Sequence, residues 1–509
     1  MDAEFVSAVD QRFASGDGFR SKRESLGERT SLADLPCAIR QTAGHAIRFA
    51  FSETNHWLAV MPDFTDTIAA LATPAGTSAI AVIRVSGPDT LRIVGELWGE
   101  TPLPRTLHRG DYRDSRSEVL DDVLYVFFEG TKSYTGEDSL EVSCHGNPYI
   151  AQKILADMFV RGCRPAEPGE FTQRSFLNGR MDLSQAEGVM DLIHARSDRA
   201  LAAANKQLRG SLSMRMAGLI DGLVNMLARV EAYIDFPDED LPPEDIAVVE
   251  RELTRLSEDT NRLLATSRYG QLLRDGIKTV IVGRPNVGKS SLLNVLLGKE
   301  RALVSAEPGT TRDFIEERIV MGPHCLRLID TAGLNPSPAP LEQLGMVKTL
   351  ERAAEADLFI VVFENGDPDV SIDEDLWARM SADNSIIVLN KSDLRSGWSG
   401  FGLGFPVVEI SARTKFGIDE LVATIVRAAD RLSPDRNADA VAINARHAHA
   451  LSCARDSLSS ALGKVRSNAP IELLSSDLRS VLAAFGEIAG RIDNEAMLDA
   501  LFANFCIGK

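Results

Sequence analysis

The stretch "GRPNVGKSS", residues 283–291, has the spacing G-x-x-x-x-G-K-[ST]. Gly283 and Gly288 allow the backbone to turn its N–H groups around phosphate oxygens at the start of a helix. Lys289 can reach the β- and γ-phosphates, and the Ser290 hydroxyl can bind Mg²⁺. Asn286, Val287 and Ser291 complete the loop, and Asn286 can help to hold a cation beside the phosphates. A glycine-rich turn without a ligand is the alternative. The apolar run "IKTVIVG" before the loop and the helical "SLLNVLLG" after it supply the strand–loop–helix setting that phosphate binding needs.

Three more tetrads and pentads follow in order. "GTTRD" (309–313) offers the Thr311 hydroxyl to Mg²⁺ when a γ-phosphate is present. "DTAG" ends a strand: Asp330 is a carboxylate behind the Mg²⁺, Thr331 and Ala332 follow it, and the Gly333 N–H can meet the γ-phosphate. "NKSD" brings Asn390, Lys391, Ser392 and Asp393 to another strand end. A carboxylate there accepts two parallel hydrogen bonds from the ring N–H and amine of guanine, and adenine would leave it unpaired. Ser411 and Ala412, with Arg413 beside them, would close over the base oxygen. Each motif is weak alone; the ordered set describes a GTP-hydrolysing site. Where small signalling GTPases place a water-orienting Gln after DTAG, this chain has Leu334, and Glu342 lies a little further on.

These motifs fall on "IKTVIVG", "CLRLIDT", "ADLFIVVFE", "SIIVLNKSD" and "PVVEISA", short apolar strands mostly separated by helical stretches. That is a mostly parallel, doubly wound α/β sheet, covering residues 276–432. Upstream, "TIAALAT", "SAIAVIRVSG", "VLYVFFEG" and "DSLEVSCHG" predict the strands of an α+β domain over residues 63–180. Residues 181–275 carry helical period, predicting two long helices as far as Phe236 and another beyond the Pro-rich joint. Residues 433–509 are helical again, so the α/β domain is inserted into a helical domain made of two segments. Residues 1–62 mix charged residues, Ser and Gly without period, and read as a disordered extension or the product of an upstream start codon.

With 509 residues, 44% hydrophobic and 25% charged, the chain has ordinary multi-domain globular composition. A net charge of −18 excludes a broad nucleic-acid-coating surface, though not a local basic patch. No apolar run is long enough for a membrane span. Six scattered cysteines without a C-x-x-C pair point to neither zinc nor disulfides, and a reducing cytoplasm fits.

The chain also carries "DTIAALATPAG", "SYTGEDSLEVSCHG", "RPAEPGEFTQRSFLNGRMDLSQAE" and a terminal "CIGK". With the GTPase motifs these resemble the MnmE (TrmE) family of tRNA modification GTPases from about Asp66 to Lys509. The resemblance implies an N-terminal domain that binds a tetrahydrofolate derivative and forms a homodimer. It implies a heterotetramer with an FAD flavoprotein of the MnmG (GidA) type. Together they would build a carboxymethylaminomethyl group on carbon 5 of the wobble uridine of certain tRNAs. Folate contacts would fall on Arg84, Glu141, Arg180 and Lys509; the family usually has Lys where this chain has Arg180. K⁺ would replace an arginine finger, held by Asn286 and by a loop that includes Ser305, Ala306, Glu307, Pro308, Gly309 and Thr310. Of these, Ser305, Glu307 and Thr310 join Asn286 as metal contacts, and Glu342 would activate the water.

Bland readings stand beside the sharp ones. Glu342 could be a solvated carboxylate, and Arg84–Glu141 an ordinary pair on adjacent strands. On an ideal helix Arg196, Arg199, Lys206 and Arg209 share one face, a solvated bundle face or a contact for the tRNA backbone. The tail, with Cys506 and Lys509, could fray. The apolar residues of "NEAMLDALFANF" predict instead that it docks, reaching the folate pocket across the dimer. Cys506 is then expected as nucleophile or proton donor. The competing functions are a GTP-switch ribosome-assembly factor and a folate-dependent one-carbon transferase that uses GTP only for regulation.

Overall fold

The computed structural model describes residues 49–51, 57–59, 66–235, 246–284, 286–299, 316–329, 355–366, 374–394, 404–432, 441–467, 469–490, 498, 501–503 and 505–508. Two units result, Met1–Phe64 and Thr65–Lys509. In the first, β1 (Phe49–Phe51) and β2 (Trp57–Ala59) pair antiparallel. This strand pair falls inside the stretch expected to lack structure; its aromatic and aliphatic residues favour a pleated pair.

The second unit opens with β3 (Ile68–Leu71), β4 (Ile80–Ser86), α1 (Thr90–Trp98), β5 (His108–Arg113), β6 (Val119–Phe128), β7 (Ser139–His145), α2 (Pro148–Val160), β8 (Arg164–Pro165) and α3 (Glu170–Leu177). The sheet order is β5-β6-β7-β4-β3-β8. Alternation divides its faces. Ile83, Val85 and Val142 pack under α1 and α2 through Ile93, Val94, Ile154 and Met158. Arg84, between Ile83 and Val85, points to the opposite face, where Ile68, Ala70 and Phe171 cluster beside Tyr134.

The helical stretch holds α4 (Leu183–His194), α5 (Asp198–Leu208), α6 (Ser211–Asp235), α7 (Ile246–Ala265) and α8 (Ser267–Asp275). Three helices, rather than two, therefore occupy residues 183–235. The breaks are local: the Ser197 side chain caps α5 by accepting from Ala200 N, and Gly210 follows it at φ 81°.

Next come β9 (Ile277–Val282), α9 (Lys289–Lys299), β10 (Glu316–Met321), β11 (His324–Ile329), β12 (Leu358–Glu364), α10 (Glu374–Trp377), β13 (Ser385–Asn390), β14 (Val407–Glu409) and α11 (Ile418–Leu432). The order β10-β11-β9-β12-β13-β14 is parallel except for β10. Apolar clusters cover both faces, which is why β9, β12 and β13 are unbroken apolar runs.

The chain ends with α12 (Ala445–Arg466), α13 (Ile471–Ala489) and a short tail. One bundle core joins Leu223 and Leu253 to Leu451, Leu458 and Phe485, so the helical domain is assembled from both sides of the insertion. Buried Glu187 on α4 pins that junction, bonded to His447 at 2.7 Å and Arg446 at 2.9 Å. Burial opposes its charge, but the bonds from His447 and Arg446 outweigh this and hold its carboxyl at about 2.

Candidate functional site

The phosphate loop joins β9 to α9. Gly283 has φ 152°, and a Cβ there would lie 2.3 Å from Val362 O. Gly288 has φ 99°, and a Cβ would lie 2.2 Å from Asn390 Nδ2. Neither position accepts a side chain, so the loop draws close enough to β12 and β13 to form a cradle. Lys289 Nζ donates to Gly283 O and Arg284 O, both at 2.8 Å, which holds the ammonium over the loop. Asn286 is exposed at φ 65°; Ser290 and Ser291 are exposed on the first turn of α9, and Val287 is buried.

Buried Asn390 ties the loop to the far side of the site. Its amide donates to Val287 O at 2.8 Å and its Oδ1 accepts from Ala412 N at 3.0 Å. Asp393 Oδ1 accepts from Ser411 Oγ at 2.6 Å, and Arg413 Nε lies 3.5 Å from its Oδ2. The Ser411 bond holds the Asp393 carboxyl below the usual range, keeping it an acceptor. Lys391, at φ 64°, is anchored to Glu364 at 2.7 Å, a partner that sequence reasoning missed. The loop, "NKSD" and "ISA" are thus brought together at the carboxyl ends of parallel strands, where α/β sheets bind ligands. Ser305, Ala306, Glu307, Pro308, Gly309, Thr310, Thr311, Asp330, Thr331, Ala332, Gly333, Glu342 and Lys509 lie outside the described residues.

A second constellation forms on the N-terminal sheet. Arg84 and Glu141 are direct cross-strand partners on β4 and β7. Arg84 Nη2 lies 2.7 Å from Glu141 Oε1, and its guanidinium stands over the rings of Tyr134 at 5.5 Å and Phe171 at 5.7 Å. Its Nη1 donates to Gly508 O at 3.1 Å. The tail therefore reaches this site within one chain, a correction to the expected route across the dimer. Phe502 and Phe505 bury against Leu183 and Ala186 of α4, each aromatic stabilising the dock by roughly 1.5–3 kcal/mol. Cys506 O then accepts from Gly169 N at 3.3 Å, leaving the Cys506 side chain exposed. Arg180 is exposed, with its stem over Gly136.

Beneath this site lies a network that sequence reasoning missed. Fully buried Arg174 reaches Asp66 Oδ1 at 2.7 Å, Glu170 Oε1 at 2.9 Å and Glu137 Oε2 at 3.2 Å. Burial pushes the Glu137 carboxyl up, partly offset by Arg174. Glu137 also accepts from Ser86 Oγ, which bonds Thr135. The only trace in the sequence was the Glu170–Arg174 spacing of four.

The basic face expected around residues 196–209 is not one helical face. Arg196 precedes the cap of α5, and Arg199 is committed to Asp430 of α11 at 2.5 Å. Lys206 and Arg209 remain exposed. Among the described residues, no helix is long and apolar enough to cross a membrane.

The family model described as "GTP-binding protein TrmE N-terminus" matches residues 67–180, and that described as "MnmE helical domain" matches residues 183–506. The chain is 60% identical over 452 residues to the "tRNA modification GTPase MnmE" of Opitutus terrae, covering 88% of this chain and 100% of that protein. It is 43% identical over 456 residues to the protein so described from Akkermansia muciniphila, covering 88% and 100%. Among solved structures, the G domain of the T. maritima FeoB iron transporter matches 30% of this chain and 98% of its own at 29% identity, with a TM-score of 0.23. With relatives matched end to end and both family models laid over the domains described above, the chain belongs to the MnmE family of tRNA modification GTPases.

Proposed function

We propose that this GTPase is K⁺-stimulated and works as a cytoplasmic homodimer with an FAD flavoprotein of the MnmG (GidA) type in a heterotetramer. Together they add a carboxymethylaminomethyl group to carbon 5 of the wobble uridine of certain tRNAs, with a tetrahydrofolate derivative as one-carbon source. The observation that carries this reading is the tail bonded to the Arg84–Glu141 pair in a chain that also assembles a guanine-nucleotide site. A GTP switch without modification chemistry gives that docked tail no work.

At the nucleotide site, the cradle between Gly283 and Gly288 suits phosphate oxygens, and Asp393 suits the two donors of guanine. Ser290, Thr311 and Asp330 would hold Mg²⁺. Asn286, exposed on the loop, would hold K⁺ with Ser305, Glu307 and Thr310. That ion supplies the positive charge that an arginine finger supplies elsewhere. Glu342 would orient the attacking water, which Leu334 cannot do.

At the second site, a guanidinium flanked by two aromatic rings and a carboxylate fits a flat, hydrogen-bonding ring with an acidic tail. Arg84 and Glu141 would take the ring, and Arg180 and Lys509 the acidic groups. The folate derivative supplies a one-carbon unit, beside which Cys506 would act as nucleophile or proton donor.

Mass spectrometry of wobble nucleosides from cells lacking the protein tests the reading. The modified uridine should vanish and return with the wild-type gene. Unchanged nucleosides together with a ribosome-assembly defect would favour the switch.

A further inference from the structure

The hairpin of β10 and β11 connects the two nucleotide-sensing motifs in sequence. "GTTRD" ends three residues before β10, and β11 runs directly into "DTAG". The turn between the strands, Gly322–Pro323, lies at the opposite end and meets the helical domain. Pro323 O accepts from Arg199 N of α5 at 3.4 Å. Asp430 of α11 receives Arg199 Nη2 at 2.5 Å and faces buried His324 Nε2 at 3.0 Å. A Cβ on Gly322 would lie 3.2 Å from Val426, so α11 closes the other side of the turn.

From α5 the contacts continue without a gap. Gln207 Nε2 donates to Ser184 O at 2.9 Å, and Gln185 Nε2 donates to Leu208 O at 3.1 Å, locking α5 to α4. The Leu183–Ala186 face of α4 holds Phe502 and Phe505, and the tail ends on Arg84. A cavity of about 170 Å³, lined by Asp191, His194, Ala200, Ala204, Gly270 and Leu273, lies between α4, α5 and α8. The Arg274–Asp191 pair, at 2.6 Å, bridges α8 to α4 beside it.

We propose that the Gly322–His324 turn, fastened to α5 by Arg199 and Asp430, is the contact through which nucleotide state reaches the Arg84–tail site. Arg199 is a positioning residue: it touches neither nucleotide nor folate, and acts through α5 and α4. This inference rests on the functional reading above, and it adds the element that couples the two sites.

The test uses the full-length protein with its flavoprotein partner, tRNA, folate and GTP in KCl. Three quantities are read: GTP turnover, modified uridine formed per GTP hydrolysed, and amide hydrogen exchange of residues 183–208 with GDP against a non-hydrolysable GTP analogue. Arg199→Ala should keep turnover within about twofold but cut modification per GTP by ~10-fold, an ordinary size for coupling between sites. It should also erase the nucleotide-dependent difference in exchange. Arg199→Lys, which keeps a cation at Asp430, should restore most of both. The double variant Arg199→Ala/Asp430→Asn should be no worse than the poorer single one, because both break one link. Modification per GTP at the wild-type level in Arg199→Ala would overturn the inference. So would wild-type exchange over 183–208 that is identical in the two nucleotides, a result independent of how any variant folds. Wild-type protein that hydrolyses GTP but modifies no uridine would instead overturn the functional reading, while the exchange data still decide the coupling.

Discussion

In the G domain, Gly283, Lys289, Asn390 and Asp393 gather at the carboxyl ends of β9 and β13, parallel strands of one sheet. Arg84, Glu141 and Gly508 come from two antiparallel strands and the end of the chain, with 424 residues separating Arg84 from Gly508. The nucleotide site is shaped by short loops at strand ends. The second site is fixed by packing: aromatic anchors in the tail, and a buried arginine under the sheet. Local changes should therefore damage the first through its chemistry and the second through its assembly.

The largest effect is expected from Arg174→Met. Removing the cation takes from partly buried Glu137 its arginine, while Arg164 still bonds Asp66 and Glu170, at a cost of about 3–5 kcal/mol. Denaturation by urea should show a large fall in stability of the N-terminal domain with GTP affinity retained. A fall below about 1 kcal/mol would mean that the network does not hold the second site together.

Asn286→Ala comes next and acts only on the first site. Hydrolysis should be fast in KCl and slow in NaCl for the wild type, and slow in both salts for the variant. The loss should be ~10²–10³-fold, as for a single transition-state charge contact. Equal wild-type rates in the two salts would remove K⁺ from the account.

Asp393→Asn should weaken GTP binding by roughly 10–100-fold through the loss of hydrogen bonds to a charged acceptor, while xanthosine nucleotides gain. Unchanged GTP affinity by titration would contradict the assignment of Asp393 to the base.

Gly508→Ala is the smallest change, and it probes the second site alone. Gly508 has φ 90°, and a Cβ would lie 2.6 Å from Leu71 O. Left-handed backbone costs a residue with a Cβ about 1–2 kcal/mol even without that clash. Modification should fall while GTP hydrolysis holds. Equal loss of both activities would break the separation between the two sites.

The same contrast explains what could be read from the sequence. Motifs of contiguous residues at strand ends carry their geometry with them, so the loop, Asn390, Asp393, Ser411 and the doubly wound sheet were legible. Arg84 and Glu141 were legible only through a resemblance, and their meeting with the tail within one chain was not. Arg174 drew no reading from the sequence, because its burial depends on Asp66, 108 residues away. The division of residues 183–235 was misread because helical period continues across Ser197 and Gly210; the capping chemistry of those two residues was the signal that outweighed it.

The most direct test replaces one atom. Cys506→Ser should leave the fold and GTP hydrolysis intact, because the tail is held by Phe502, Phe505 and backbone bonds rather than by the thiol. Wobble-uridine modification, measured by mass spectrometry in cells carrying only this variant, should be abolished. Modification at the wild-type level would reduce the tail to an anchor and contradict a chemical role for Cys506.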